Sequence, residues 1–166
     1  MRKFELLQNI IEDNRVKSEK MVELIDRGMC ENFVEQISKS NRIFIYGKEI
    51  SSNIIGQELK RAFTALGKYV FDFYKADEMD AVLSLISKDD CIIMISSENT
   101  NDYLEEINER VSGEDIGKFF IGKDRENSVP ICTPRLEKID TCHDDSYENV
   151  KEYCMLVDFL YELCRM

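Results

Sequence analysis

The 166-residue chain holds a single histidine, two prolines and seven glycines, and its 22 basic residues are outnumbered by 33 acidic ones. Each shortage excludes something. A formal net charge of −11 repels a phosphate backbone, so no direct nucleic-acid contact through a broad basic face is expected. No run of about 18 apolar residues is present, which argues against a membrane-spanning helix. The opening MRKFELLQNIIEDN turns acidic before a secretory core could form, so the chain is expected to be soluble and cytoplasmic, without a membrane partner. Scarce proline and glycine leave little room for long linkers, and there is no internal repeat or low-complexity tract. The six cysteines (Cys30, Cys91, Cys132, Cys142, Cys154 and Cys164) never form a CxxC pair, and His143 has only Cys142 beside it. A zinc site is therefore not expected, nor any other cofactor, and the thiols read as buried and free.

What is present is a rhythm. The runs IFIY (43–46), YVFDFY (69–74), CIIMI (91–95), KFFIG (118–122) and VPIC (129–132) are short and rich in β-formers, and they predict five strands. Between them lie amphipathic stretches. Ile54, Ile55, Leu59, Ala62, Phe63 and Leu66 recur near the helical period and stop at Gly67, a C-cap residue. Shorter helices are expected over Ala76–Ile86 and Asp102–Val111. Alternating strands and helices predict an α/β fold: a three-layer sandwich with a five-stranded parallel, flavodoxin-like sheet and helices on both faces.

The ends are helical. Leu6, Leu7, Ile10 and Ile11, then Met21, Val22, Leu24 and Ile25, then Phe33, Val34 and Ile37 predict two or three extra helices before the first strand, broken at Gly28. Residues 1–39 read as a helical lead-in and 40–166 as the α/β domain, together one globular unit. The last segment, Tyr147–Met166, carries Val150, Tyr153, Cys154, Val157, Leu160, Tyr161 and Cys164 on one broad stripe. So wide a stripe is either sandwiched in its own core or shared with a second copy, and a homodimer or higher homo-oligomer is the expectation.

Two hydroxyl clusters follow strands. The first strand runs into Gly47-Lys48-Glu49-Ile50-Ser51-Ser52, where serines at a helix amino terminus can cap the helix or help to bind an anion. The third strand ends in Ser96, Ser97 and Thr100. In a flavodoxin-like order these strands are neighbours whose crossovers leave on opposite faces, so both clusters border one crevice.

These loops resemble those of the sugar isomerase (SIS) domain, above all the version found as the effector domain of RpiR-type transcriptional regulators. Gly47-Lys48-Glu49-Ile50-Ser51 is similar to that family's G-x-G-x-S loop, and Ser96-Ser97-Glu98-Asn99-Thr100 to its S-x-S-G-x-T loop. LGKYVFDF, DDCIIMIS and the closing LVDFLYEL also resemble that subfamily, and the similarity spans about residues 30–166. The resemblance implies a sugar phosphate held by Gly47, Ser51, Ser52, Ser96, Ser97 and Thr100, with Lys48, Glu49 and His143 as modulators. Two departures stand out: Glu49 replaces the first loop's second glycine, and the second loop is one residue short and lacks its glycine.

Three functions are compatible with this reading. The first is a non-catalytic phosphosugar sensor of an RpiR-type regulator, or derived from one, with no catalytic residue. The second is a sugar-phosphate isomerase using Glu49, Glu137 or His143 as base. The third is a ligand-free dimerisation scaffold. The 39 or so residues before the first strand are too few and too acidic for a complete helix-turn-helix domain, so the chain reads as a sensor cut from a longer regulator or as a stand-alone descendant.

Overall fold

The computed structural model describes residues 2–25, 27–96, 101–113, 115–140 and 147–166. Two helices, α1 (Arg2–Leu24) and α2 (Arg27–Lys39), precede an alternation of β1 (Arg42–Tyr46), α3 (Ile50–Ala65), β2 (Tyr69–Phe73), α4 (Ala76–Leu83), β3 (Asp90–Ile95), α5 (Asn101–Val111) and β4 (Gly117–Asp124). Then come β5 (Pro130–Thr133), a 3-10 turn at Leu136–Lys138, β6 (Ile139–Asp140) and α6 (Tyr147–Arg165). The sheet order is β2-β1-β3-β4-β5, with β1 to β4 parallel. The flavodoxin-like order and the helices on both faces are as expected.

The sheet departs from the expected one at its end. β5 runs antiparallel to β4, and a sixth strand, β6, also pairs antiparallel with β4. The reason is chain length: only residues 125–129 separate β4 from β5, enough for a hairpin but too few for a crossover. The break between the first helices also differs. It falls before Arg27, and Gly28 lies inside the first turn of α2.

Alternation along the strands sorts the core into two layers. Ile43 and Ile45 of β1, with Ile93 and Phe119, face a cluster that takes in Phe33 and Ile37 of α2, Leu59 and Phe63 of α3, and Leu156 and Leu160 of α6. Phe44 and Tyr46 face the other way, toward Met79 of α4 and Leu104 and Ile107 of α5. Residues 91–95 of β3 are buried throughout, as a central parallel strand covered on both faces must be. Cys91 and Cys132 belong to this core, and burial raises both thiols well above the usual range. No disulfide joins the described cysteines.

The wide stripe on α6 is largely absorbed by its own chain. Tyr153, Leu156, Val157 and Leu160 are buried, α6 packs along α3 and against α2, and Lys17 of α1 pairs with Glu152 at 2.7 Å. α3 ends as expected: Gly67 adopts φ +82 and donates its N–H to the Thr64 carbonyl at 2.9 Å, while Lys68 N–H reaches Phe63 O at 3.1 Å.

Phe33 ties α2 to the sheet, with its ring centroid 4.8 Å from Phe119 and 6.2 Å from Phe63. Phe33→Ala should cost about 3–5 kcal/mol in denaturant unfolding, the range for a buried aromatic truncated in a core that cannot collapse.

At the amino ends of β1 and β3, Asp90 accepts from Arg42 at 2.9 and 2.7 Å and from the Ser87 amide at 2.9 Å. Burial pushes this carboxyl up, but the Arg42 and Ser87 hydrogen bonds outweigh it and hold Asp90 below its ordinary value. A carboxyl lowered in the folded state stabilises above its unfolded value, about 3.9, and that contribution disappears as pH falls through the folded value. Asp90→Asn should therefore cost about 1–3 kcal/mol at neutral pH and flatten the acid limb of a stability-against-pH curve below about pH 4.

Candidate functional site

The carboxyl ends of β1 and β3 lie side by side. Tyr46 pairs with Met94, so Gly47 and Ser96 emerge within a residue or two of the same rung. Gly47 N–H donates to Phe73 O of β2 at 3.1 Å, and Ser96 N–H to Ile121 O of β4 at 2.8 Å. The two loops therefore leave the sheet from neighbouring, hydrogen-bonded positions, at the place where an open α/β sheet has its crevice.

The first loop is built by close approach. A β-carbon on Gly47 would stand 2.8 Å from the Ser52 carbonyl oxygen and 3.0 Å from the Ser52 β-carbon, so only glycine lets the chain turn back against α3. One turn further on, Gly56 brings α3 down onto Ile45 and Ile95, where an added β-carbon would meet their methyls at 3.4 and 3.7 Å. The helix amino terminus is thereby seated over the ends of β1 and β3.

Capping of α3 differs from the simplest sequence expectation. Glu49 is the N-cap residue, extended at φ −78 and ψ 166, and its side chain makes no capping bond, while its carbonyl accepts Asn53 N–H at 2.8 Å. Ser51 and Ser52 are the second and third residues of the helix and are both buried. They are not caps. Ser52 Oγ is fully enclosed and has no hydrogen-bond partner among the described residues, an uncommon state for a buried hydroxyl. Lys48 is exposed and Glu49 half-buried.

In the second loop, Ser96 is buried and its hydroxyl donates to Asn101 Oδ1 at 2.6 Å. That bond fastens the end of β3 to the first residue of α5. Ser97 and Thr100, with Glu98 and Asn99, lie outside the described residues, as does His143. Glu137 sits exposed on the 3-10 turn and lines a cavity of about 700 Å³ together with Leu24, Met29, Asn32, Arg125 and Thr133. None of Gly47, Ser51, Ser52 and Ser96 lines that cavity, so Glu137 does not share a pocket with them.

Sequence reasoning missed two parts of this region. One is a polar group beneath the first loop. Tyr46, the last residue of β1, packs edge-on against Tyr103 at 5.1 Å, and Tyr103 donates to Asp80 Oδ1 at 2.7 Å and stands 3.0 Å from Ala76 O. Burial, then the Asp80 and Glu49 carboxylates, push the Tyr46 phenol up to about 12. Arg110 pairs with Asp80 at 3.1 Å. The only hint was that IFIY ends in a polar-tipped aromatic. The other is β6. Lys123 of β4 pairs with Pro130 of β5 on one side and with Asp140 of β6 on the other, so β6 continues the edge that β3 occupies lower down. Gly122 permits this, since a β-carbon there would meet Ile139 at 3.0 Å. A two-residue strand has no periodicity to read.

The loop geometry can be tested apart from any ligand. Gly47→Ala should cost about 1–3 kcal/mol, because the added carbon meets backbone rather than a yielding side-chain tip. Gly113→Ala, where a β-carbon would meet nothing within 4 Å, should leave the denaturation midpoint nearly unchanged.

Among curated proteins, none matches the sequence. Solved structures do match the fold. The sugar isomerase domain of an RpiR transcription factor from Sphaerobacter thermophilus superposes with a TM-score of 0.70 at 12% identity, over 96% of this chain and 89% of that one. The Vibrio vulnificus NanR protein complexed with ManNAc-6P gives 0.70 at 19% identity, over 98% of this chain and 65% of NanR. Phosphoheptose isomerase from Neisseria gonorrhoeae gives 0.62 at 12% identity, over 99% and 98%. Regulators and an enzyme thus share this architecture, and at such identities the likeness establishes the fold alone. The SIS domain family matches residues 36–118, half of the chain, from the end of α2 through both crevice loops and into β4. With the sheet order, the Gly47 turn and the serines at the start of α3 in place, this chain belongs to the SIS domain family.

Proposed function

We propose that this chain is a non-catalytic phosphosugar sensor, the cytoplasmic effector module of an RpiR-type regulator or a descendant of one, and that it works as a homodimer. The observation that carries the reading is the enclosed, unpartnered Ser52 hydroxyl at the amino terminus of α3. A helix amino terminus offers free N–H groups and the positive end of a dipole, and a hydroxyl donor beside them suits a phosphate oxygen. Ser51, and Gly47 as the turn that admits the ligand, complete the first loop in this reading. Ser96, Ser97 and Thr100 would approach from the second, with Lys48 and His143 as modulators.

Glu49 bears on both affinity and chemistry. Its carboxylate at the helix start competes with an anion for the same positive end, so affinity for a phosphate is lower than a glycine at this position would allow. Isomerisation would require a base placed against the sugar carbons; Glu137 is exposed at a separate cavity, which leaves Glu49 at the start of α3 as the described carboxylate nearest this crevice. A sensor needs only that the ligand favour one arrangement of the subunits over another.

The test is thermal unfolding against ManNAc-6P, hexose 6-phosphates and the matching unphosphorylated sugars. A phosphate ester at about a hundred times its dissociation constant should add roughly 2.7 kcal/mol of stability, with no shift from the free sugar. Ser52→Ala should reduce the shift, and Glu49→Gln should lower the concentration needed several-fold. If no ester moves the midpoint at millimolar concentration, even with Glu49→Gln, the sensor reading fails and a ligand-free scaffold takes its place.

A further inference from the structure

The first half of α1 is covered by nothing among the described residues. Residues 2–13 are exposed without exception, and among them Phe4 at 64%, Leu6, Leu7, Ile10 and Ile11 at 68% present an apolar stripe. The stripe is the continuation of a buried one. Phe4, Leu7, Ile11, Asn14, Ser18 and Met21 follow one another at alternating spacings of three and four residues, so they share one face of the helix. Along the second half, that face rests on the domain: Met21 is 1% exposed, Ser18 Oγ lies 3.7 Å from Met155 Sδ, and Lys17 pairs with Glu152. From Ile11 toward the amino end the same face runs past the edge of the domain into the open. A contiguous apolar face on a helix projecting from its domain marks an interaction surface.

We infer that a second copy of this chain covers it, the two α1 helices packing antiparallel about a midpoint near Leu7 and Gln8. Two features favour a second copy. The spacing is that of a helix-pairing seam, and an antiparallel arrangement sets Phe4 of one helix against Ile11 of the other, with the two Leu7 side chains meeting at the centre, without any further element. The charges also complement themselves on reversal. The basic first turn, Arg2 and Lys3, comes alongside the acidic Glu12 and Asp13 of the other copy, at both ends of the pair. A parallel pairing would set like charges together. Arg2, Lys3 and Asp13 form no ion pair among the described residues of their own chain, whereas Arg15 already holds Glu12 and Glu19. Such a contact is isologous and closes at two copies. It rests on the proposed homodimer for the number of copies and does not depend on whether the crevice binds a phosphate. It also gives that dimer a surface that α6, absorbed into its own core, does not provide.

Sedimentation velocity of the full chain tests this. The wild type should sediment as a dimer, and Leu7→Glu with Ile11→Glu as a monomer whose far-ultraviolet circular dichroism remains that of a folded α/β domain, because both side chains are exposed on the described chain. Asp13→Lys should weaken the dimer, and adding Arg2→Glu, which faces position 13 of the other copy, should restore it. A dimer that persists in the Leu7→Glu, Ile11→Glu variant overturns the surface and leaves the homodimer standing. A wild-type chain that stays monomeric at high micromolar concentration overturns both, and leaves the stripe to a different protein. Failure of Arg2→Glu to rescue Asp13→Lys overturns the antiparallel register.

Discussion

The structure depends on how closely α3 sits over the carboxyl ends of β1 and β3. Two glycines on one short segment make that possible, Gly47 against the backbone and β-carbon of Ser52, and Gly56 against Ile45 and Ile95. Because the helix is pressed onto the sheet, Ser51 and Ser52 are buried rather than presented to solvent, and the amino terminus of α3 points at the crevice instead of past it. The rest of that layer follows. Leu59 and Phe63, further along the same face, meet Phe33 of α2 and the sheet, and α6 lies alongside α3.

The electrostatics of the two ends of the sheet contrast. At the amino ends, Asp90 and Arg42 are satisfied by each other and by Ser87, and the pair clamps neighbouring strands, a structural role for a buried carboxylate with good geometry. At the carboxyl ends the polar groups are less completely paired. Ser52 Oγ has no partner among the described residues, and Glu49 sends its charge toward the Tyr46 phenol. An unsatisfied buried hydroxyl costs stability in a folded domain; Gln36 Oε1 beside Gly117 and Asn108 Oδ1 on α5 are in the same state away from the crevice. A domain that had only to fold would gain by placing an apolar residue at position 52.

The two proposals place ligand and partner on the same chain, yet on separate elements. α1 reaches α6 through Lys17 and Ser18, which meet Glu152 and Met155, and α6 in turn packs along α3, whose first turn borders the crevice. That chain of contacts offers a physical link between crevice and partner, since a ligand that reseats α3 acts on the helix against which α1 leans.

Much of this was written in the sequence. Strand alternation, the 3.6-residue pattern of α3 and its Gly67 stop are local patterns, and local patterns fix element type, which face is buried and, through crossover rules, the strand order. The likeness of residues 47–51 and 96–100 to known loops pointed to the carboxyl ends of β1 and β3 as the place for a ligand. What the sequence could not decide rests on contacts between distant segments. The direction of β5 follows from a short connection but shows itself only in its pairing, and β6 is two residues long and exists because Gly122 makes room for Ile139. The breadth of the α6 stripe read equally well as a partner surface or as a doubly covered core helix, and only packing against α1, α2 and α3 shows which. The apolar face of α1 is the converse: periodicity revealed a face, but whether anything in the chain covers it is a property of tertiary structure, because burial depends on neighbours that sequence spacing does not name.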